Sequence, residues 1–155
     1  MKILNISYAL PSKKVTNEGL IAEIVQKNRK LLSARDLESL QTKIKKFFKL
    51  SGTVIRYHRN KGEKSFDFAV KAGQEALRKA KVNPKDVDLL IYAGVGRGWL
   101  EPATANLFQS ELGLTSATCF DVLDACASWV RSMAIAKSFL SQKVYKLVMI
   151  LNCEF

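Results

Sequence analysis

The chain has 155 residues, 48% of them apolar and 25% charged, which suits one hydrophobic core and an ordinary globular protein. This balance excludes a disordered tail, a collagen-like fibre and a disulfide-rich miniprotein. Three cysteines at irregular spacing indicate free thiols in a reducing compartment. Residues 1–11 lack the pattern of a signal peptide, and no apolar run approaches the roughly 20 residues of a membrane helix. We therefore expect a cytoplasmic protein with no membrane partner.

The net charge of +11 is unevenly distributed. Residues 1–85 contain 20 basic and 7 acidic side chains, whereas residues 86–155 contain 5 basic and 7 acidic ones. A basic half attracts anionic partners such as nucleic acid, an acidic protein or a phosphate-bearing ligand. Basic and aromatic residues are not interleaved and no recognition helix is evident, so we expect no nucleic-acid partner.

In the first half of the chain, the hydrophobic pattern predicts short strands and three helices. The predicted elements are a strand over 2–8, a helix capped by Thr16 or Asn17, a helix over 33–50, a strand over 53–57, a turn over 60–63 and a helix over 65–81 capped by Ser65. The helix over 33–50 carries an apolar stripe, and a lysine cluster between Lys43 and Lys49 lies mostly off that stripe.

From Asp86 onward, apolar strands alternate with helices. The pattern predicts strands over 87–95, 118–123 and 145–151, with helices from Pro102 to Gly113 and over 125–140. The strand over 87–95 is apolar throughout, as expected of a strand buried on both faces. Such alternation is typical of an α/β fold with a mostly parallel sheet covered on both faces.

Cys126 is the first candidate for chemistry, because it lies where a buried strand gives way directly to a helix. Unpaired N–H groups and the positive end of the helix dipole stabilise a thiolate in the first turn, and the thiolate is the nucleophilic form. The following helix is apolar on almost every side, which predicts a buried position. This arrangement favours acyl transfer. The alternative is that Cys126 only fills a small core site.

Four segments together resemble the thiolase superfamily, and within it the ketoacyl-ACP synthase III branch. They are the stretch from Gly94 to Leu114 with Pro102-Ala-Thr-Ala, the stretch Cys119-Phe-Asp121-Val-Leu-Asp-Ala-Cys126-Ala, the opening Tyr8-Ala-Leu-Pro11 to Asn17, and Gly52-Thr-Val-Ile-Arg56-Tyr-His-Arg59. The resemblance is strongest over residues 88–154 and weakest over residues 33–50. The chain also shows some likeness to the head-to-head condensing thiolases of olefin biosynthesis and to HMG-CoA synthases.

The resemblance implies a thiolase-like α/β/α half-fold of three layers with a mixed, mostly parallel sheet. Residues 1–155 would form a single truncated N-terminal domain with a Lys-rich helical insertion at about 33–50. The second half of the fold and the last strand of the first half would be missing.

The resemblance also implies a role for Cys126 as the residue that accepts an acyl group from an acyl-CoA or acyl-carrier-protein thioester. The Cys126 N–H would form part of the oxyanion hole, and a Claisen condensation would follow. The family's catalytic His and Asn belong to the missing half, so we expect the isolated chain to be inactive without that half. The expected protein partners are this complementary C-terminal half or further copies of the chain in a homo-oligomer. No permanent cofactor and no metal are implied. The alternative is a non-catalytic partner or fragment that stabilises a condensing-enzyme dimer.

Glu101 is the second candidate, because the olefin-biosynthesis enzymes carry an acid before the matching proline and HMG-CoA synthases use a Glu in the same general loop. There the carboxylate acts as a base. The alternative is a solvated glutamate that stabilises the N-terminus of the next helix. Ser128-Trp129 replaces the family's Gly-Phe, so Trp129 would either narrow an acyl tunnel or simply pack.

The remaining candidates are weaker. His58 is the only histidine, and we expect a surface or turn position for it. Cys119 and Cys153 lie at strand positions and are expected in the core. The lysines between Lys43 and Lys49 form either a solvated face or a docking site for an acidic carrier protein or the phosphates of coenzyme A.

Overall fold

The structure, a computed structural model, describes residues 1–154. Its contacts divide the chain into two compact units. We call residues Leu10–Glu63 the helical unit, and Met1–Ala9 together with the chain from Lys64 onward the sheet unit. The assignment of the whole chain to one truncated domain with an insertion stays a prediction.

The helical unit contains two strands and two helices. They are β1 (Lys13–Thr16), α1 (Asn17–Asn28), α2 (Ala34–Ser51) and β2 (Ile55–His58), with β1 and β2 paired antiparallel. Thr16 caps α1, since its Oγ1 accepts the Gly19 N–H at 3.1 Å, and Ser33 caps α2. Gly52 ends α2 with a φ of 67°, a left-handed conformation that glycine adopts without steric cost. The predicted helices and the cap at Thr16 are confirmed.

The sheet unit contains the remaining regular elements. They are α3 (Ser65–Ala80), β3 (Leu89–Gly94), α4 (Thr104–Glu111), β4 (Thr118–Leu123), α5 (Ser128–Ser141) and β5 (Val148–Asn152). The three strands pair in the order β4-β3-β5, and both pairings are parallel. Every residue of β3 is buried. The predicted α/β class with a parallel sheet is confirmed.

Two apolar cores lie on the two faces of β3, because alternate side chains of a strand point to opposite faces. Leu90 and Tyr92 pack with residues of α3 and α4, whereas Leu89 and Ile91 pack with Ala136 of α5. The helices therefore cover the sheet from both sides. This is the three-layer α/β/α arrangement expected from the resemblance.

The predicted strand over residues 2–8 is wrong. The structure assigns no regular element to residues 1–11, and the large apolar side chains there remain exposed, including Ile6 at 67% and Tyr8 at 78%. An alternating sequence forms a strand only when a neighbouring edge accepts its hydrogen bonds. Neither of the two sheets described in the structure pairs with this segment.

Three further expectations need correction. Ser65 is the first residue of α3 rather than its cap, which is Lys64 without a side-chain cap bond. The helix after Pro102 begins at Thr104. The helix predicted from residue 125 begins at Ser128, and it is not buried all round: Ser132 and Ala136 face the core, while Val130 is 69% exposed. Apolar Val130 lies on the exposed side together with Arg131 and Lys137, so composition alone does not distinguish the two sides.

Candidate active site

The carboxyl ends of the three parallel strands meet at one edge of the sheet. The chain leaves β3 through α4 to reach β4 and returns through α5 to β5 on the other side of β3. Connections that depart to opposite sides open a crevice at these strand ends, where α/β proteins commonly bind ligands. A pocket of about 540 Å³ lies there. Its lining residues are Val95, Ala125, Cys126, Ser128, Trp129, Asn152 and Glu154.

Cys126 lies in a short 3-10 turn, Ala125–Ala127, between β4 and α5, and its side chain is exposed. Ala125 has a φ of 44°, in the left-handed region that residues with a Cβ rarely adopt. This conformation reverses the chain sharply between strand and helix. The Cys126 thiol therefore faces the pocket and is accessible to a substrate. The alternative that Cys126 merely fills a core site does not fit this exposure.

Asp124 forms two hydrogen bonds that hold the turn in place. The Asp124 carbonyl accepts the Ala127 N–H at 2.9 Å, and the Asp124 carboxylate accepts a hydrogen bond from Arg131 Nε at 2.5 Å. Arg131 belongs to the first part of α5, so the ion pair ties the residue that precedes the turn to the helix that follows it. Both side chains are solvent-accessible, which limits how much this pair stabilises the fold.

Side chains from β3 and β5 fix the opposite wall of the pocket. The Asn152 amide donates to the Ala93 carbonyl at 2.6 Å, and the Glu154 carboxylate accepts the Val95 N–H at 3.2 Å.

The buried Tyr92 hydroxyl lies 2.6 Å from the Cys153 carbonyl oxygen. Burial, reinforced by nearby negative charge, raises the pKa of Tyr92 above its ordinary value of 10.0. The phenol therefore remains a hydrogen-bond donor at physiological pH.

The carboxylate that caps α4 comes from β4. Asp121 accepts the Thr104 and Ala105 N–H groups with its two oxygens, at 2.9 and 2.8 Å. Glu101 is exposed in the bend before the helix, next to a cis peptide bond to Pro102. The helix-stabilising role considered for Glu101 is therefore filled by Asp121. Glu101 is not among the residues that line the Cys126 pocket.

The other candidates from the sequence lie outside this pocket. His58 is the last residue of β2 in the helical unit and is half-buried. Cys119, in β4, donates to the Gln109 side chain at 3.2 Å, and burial followed by the charge of Asp121 raises the pKa of its thiol. Cys153 is buried just after β5, 3.3 Å from the Ser65 carbonyl oxygen. The expected core position of Cys153 is confirmed, whereas Cys119 is half-buried and packs against the edge of the core.

Sequence reasoning missed Asn152, Glu154 and Val95 as pocket residues and Asp121 as the cap. The first three follow directly from strand order, because each ends or follows a strand whose carboxyl end lies at the crevice. The cap carried no local signal, since 17 residues separate Asp121 from Thr104.

Residues 1–154 contain no helix that is both long and apolar enough to cross a membrane. Within the same part of the chain, no three His, Cys, Asp or Glu side chains are grouped as a metal site requires.

Comparison with known proteins supports the resemblance in sequence. The chain is 31% identical over 118 residues to a beta-ketoacyl-[acyl-carrier-protein] synthase III of Helicobacter hepaticus, covering 76% of this chain and 36% of that protein. It is 30% identical over 155 residues to the corresponding synthase of Clostridium novyi, covering 99% of this chain and 42% of that one. The chain thus spans about two fifths of the length of the curated relatives it matches. The sequence matches no family model.

Solved structures support the same conclusion. The 3-oxoacyl-[acyl-carrier-protein] synthase III of Aquifex aeolicus matches 97% of this chain and 44% of its own, with a TM-score of 0.77 and 26% identity. OleA of Xanthomonas campestris matches with a TM-score of 0.78 at 23% identity, which shows a shared fold. The architecture is therefore that of the thiolase-like condensing enzymes. Within that class, the chain is a homologue of ketoacyl-ACP synthase III, and the resemblance seen in its motifs is confirmed.

Proposed function

We propose that this chain carries the acyl-accepting part of a ketoacyl-ACP synthase III-type acyltransferase, with Cys126 as the nucleophile. The observation that carries the proposal is the placement of an exposed thiol in a sharp turn at the carboxyl ends of the parallel strands, within a pocket of about 540 Å³. The relatives' name, beta-ketoacyl-[acyl-carrier-protein] synthase III, supports a ketosynthase-type condensation, and we propose that it serves fatty acid or polyketide biosynthesis. We place this reaction in the cytoplasm.

The proposed chemistry has two stages. First, the Cys126 thiol loses its proton and the thiolate attacks the carbonyl of an acyl-CoA or acyl-carrier-protein thioester. The bond between the carbonyl carbon and the donor sulfur breaks, and the donor thiolate takes up the proton that Cys126 lost. The Cys126 N–H donates to the oxyanion of the tetrahedral intermediate. In the second stage, a carbon nucleophile attacks the acyl-enzyme, a carbon–carbon bond forms and the Cys126 thiolate is released.

Trp129 and Glu101 have proposed roles in this reaction. Trp129 lines the pocket with Cys126 and is 38% exposed, which supports a role for its indole in limiting the size of the acyl group. Glu101 is proposed as the base that generates the carbon nucleophile. Its exposed position next to Pro102 leaves its carboxylate free of the helix-capping bonds made by Asp121.

The proposed reaction needs a His and an Asn that the family places in its second half. The only histidine of the chain is His58, in the helical unit. We propose that a complementary half supplies these groups. The lysines between Lys43 and Lys49 are exposed and are proposed to attract the acidic carrier protein or coenzyme A.

A second candidate function is a non-catalytic partner that stabilises a condensing-enzyme dimer. The observation that favours it is the exposure of two large apolar side chains at the start of α5, Trp129 at 38% and Val130 at 69%. Under this alternative, the chain binds a full-length relative tightly and Cys126 stays unmodified.

The experiment combines the purified chain with a separate chain that holds the His and Asn half, and supplies acyl-CoA and acyl-carrier-protein donors with an extender thioester. We expect condensation product from the mixture, none from either chain alone, and none from a mixture with Cys126→Ala. Cys119→Ala is the matched control and should retain product formation. A mixture that stays inactive with every donor while Cys126 remains unmodified would contradict the proposal.

A further inference from the structure

We propose that a groove in the helical unit, separate in its residues from the Cys126 pocket, binds an amphiphilic carboxylate such as a medium-chain fatty acid anion. The groove has a volume of about 730 Å³, within the range of small-molecule sites. It is lined by Asn17, Glu18, Ile21, Ala22, Val25, Arg29, Gln41, Lys45, Phe48, Lys49, Gly52, Thr53 and Val54. This inference does not depend on the proposed function of Cys126.

The lining residues form one face of each helix. On α1 they recur every three or four residues from Glu18 to Val25, and on α2 the same spacing links Gln41, Lys45 and Lys49. Residues at this spacing share one side of a helix, so the two helices present facing stripes. The Asn17 side chain closes one end by donating to the Thr53 carbonyl at 2.8 Å.

The floor of the groove is apolar and its rim is cationic. Ile21, Val25 and Phe48 supply hydrocarbon and aromatic surface. Arg29, Lys45 and Lys49 supply positive charge against the single carboxylate of Glu18. Among the ion pairs of residues 1–154, none involves these three cations.

A further positive charge lies behind the groove. The Arg56 guanidinium carbon lies 4.5 Å from the centroid of the Phe48 ring, and Arg56 Nη2 donates to the Asn17 side chain at 2.9 Å. Arg56 Nη1 is buried and has no hydrogen-bond partner in the described part of the chain. The helical unit as a whole contains thirteen Lys and Arg against five Asp and Glu. The local potential is therefore positive and favours an anion.

These features select one chemical class. A small inorganic anion would leave the apolar floor exposed to water, and a neutral hydrocarbon would leave the rim cations unpaired. A hydrocarbon chain that ends in a carboxylate satisfies both parts, since the chain covers the floor and the carboxylate meets Lys45, Lys49 or Arg29.

The test titrates the full chain with decanoate and follows heat and backbone amide chemical shifts. We expect saturable binding with shifts concentrated in residues 17–29 and 41–54. Decanol, which lacks the charge, and acetate, which lacks the chain, should each bind at least about tenfold more weakly. Cys126→Ala should bind decanoate unchanged, which separates this proposal from the proposed function.

Two variants of α2 make a matched pair. Lys45→Glu with Lys49→Glu reverses the rim charges and should weaken decanoate binding about tenfold or more. Lys43→Glu with Lys46→Glu makes the same change in net charge on exposed residues outside the groove lining and should change binding by no more than about twofold. Ala22→Trp, which adds an indole to the groove lining and occupies part of its volume, should abolish binding in a chain whose circular dichroism is unchanged.

Three results would overturn the proposal. The first is equal weakening by both lysine pairs, which would mean diffuse attraction. The second is a set of decanoate-induced shifts centred on residues 125–129. The third is an absence of decanoate binding, including the case in which an acidic amphipathic peptide binds the groove, since that would assign the groove to a protein partner.

Discussion

Asp121 and Thr104 are joined by a hydrogen bond of 2.9 Å between the Asp121 carboxylate and the Thr104 N–H. The other carboxylate oxygen accepts the Ala105 N–H at 2.8 Å, and the Asp121 side chain is 4% exposed. A strand residue therefore serves as the cap of the preceding helix, and it fixes the start of α4 against the sheet beside the candidate active site.

Replacing this carboxylate should destabilise the sheet unit. Asp121→Ala leaves two helix N–H groups without their acceptor and removes a charge from the positive end of α4, so we expect a loss of about 2 kcal/mol in the free energy of unfolding. Urea titration measures the change. The control is Asp67→Ala, which alters an exposed acid in the first turn of α3. Equal losses in the two variants would contradict the capping role.

Tyr92 predicts a loss of stability in alkali. Burial raises the pKa of the Tyr92 phenol in the folded chain above its ordinary value of 10.0. Just above pH 10.0, the phenol therefore ionises in the unfolded chain but not in the folded one, and this difference favours unfolding. The contribution of Tyr92 is complete below pH 10.0 and falls as pH rises, by up to about 1.4 kcal/mol per pH unit. The raised pKa of the Cys119 thiol acts in the same direction from its ordinary value of 9.0, to a smaller extent since that side chain is half-buried.

The measurement is the free energy of unfolding between pH 8 and pH 11. Tyr92→Phe should flatten the decline above pH 10.0, whereas Tyr57→Phe, which changes a tyrosine that is 41% exposed, should keep it. An identical slope in wild type and Tyr92→Phe would show that another group causes the alkaline loss.

At Gly73, we expect alanine to destabilise the fold, the opposite of its usual effect when it replaces glycine in a helix. An added Cβ would lie 2.9 Å from Leu112 Cδ1 and 3.1 Å from Met149 Cε, and Leu112 is held in the core. Overpacking typically costs about 1–3 kcal/mol, which exceeds the gain of about 1 kcal/mol from replacing glycine by alanine in a helix. Gly73→Ala should therefore destabilise the chain by about 1 kcal/mol.

Gly19→Ala is the matched control, because a Cβ there would meet only Thr16 Oγ1 at an ordinary distance of 3.5 Å. It should raise the free energy of unfolding by up to about 1 kcal/mol. If thermal melting shows that both alanine substitutions stabilise the chain, Leu112 can move to accommodate a Cβ at position 73, which would contradict the predicted overpacking.

A substitution of Glu101 should affect the condensation stage and leave the acyl-loading stage unchanged. If it is the base of the condensation, Glu101→Gln should leave acyl loading of Cys126 unchanged and lower product formation about 100-fold or more in the mixture with the complementary half. Its exposure predicts a stability change within about 0.5 kcal/mol. Glu111→Gln, an exposed acid at the end of α4, is the control. Full product formation by Glu101→Gln would remove Glu101 from the mechanism.

Local sequence determined much of this fold. The apolar run in β3, the cap at Thr16 and the stop at Gly52 were predictable because each depends on residues adjacent in the chain. The position of Cys126 between β4 and the next helix was predictable for the same reason, although α5 begins at Ser128, three residues later than predicted. The resemblance to a known family then supplied the layer arrangement.

Long-range contacts account for what was not predictable. The segment over residues 2–8 alternates like a strand, yet strand formation depends on a paired edge that no local pattern reports. The cap from Asp121 and the pocket positions of Asn152 and Glu154 arise only when separate strands are brought together. Which side of α5 is buried depends on how the helix packs against the sheet, and the composition of the helix does not reveal that.

Peptide mapping by mass spectrometry after incubation with an acyl-CoA tests the role of Cys126 most directly. The exposed thiol should acquire one acyl group, which should be absent in Cys126→Ser and retained in Cys119→Ser, because Cys119 and Cys153 are shielded and the pKa of the Cys119 thiol is raised. An acyl group found on Cys119 or Cys153 instead, or a chain that stays unmodified with every acyl donor, would contradict the account.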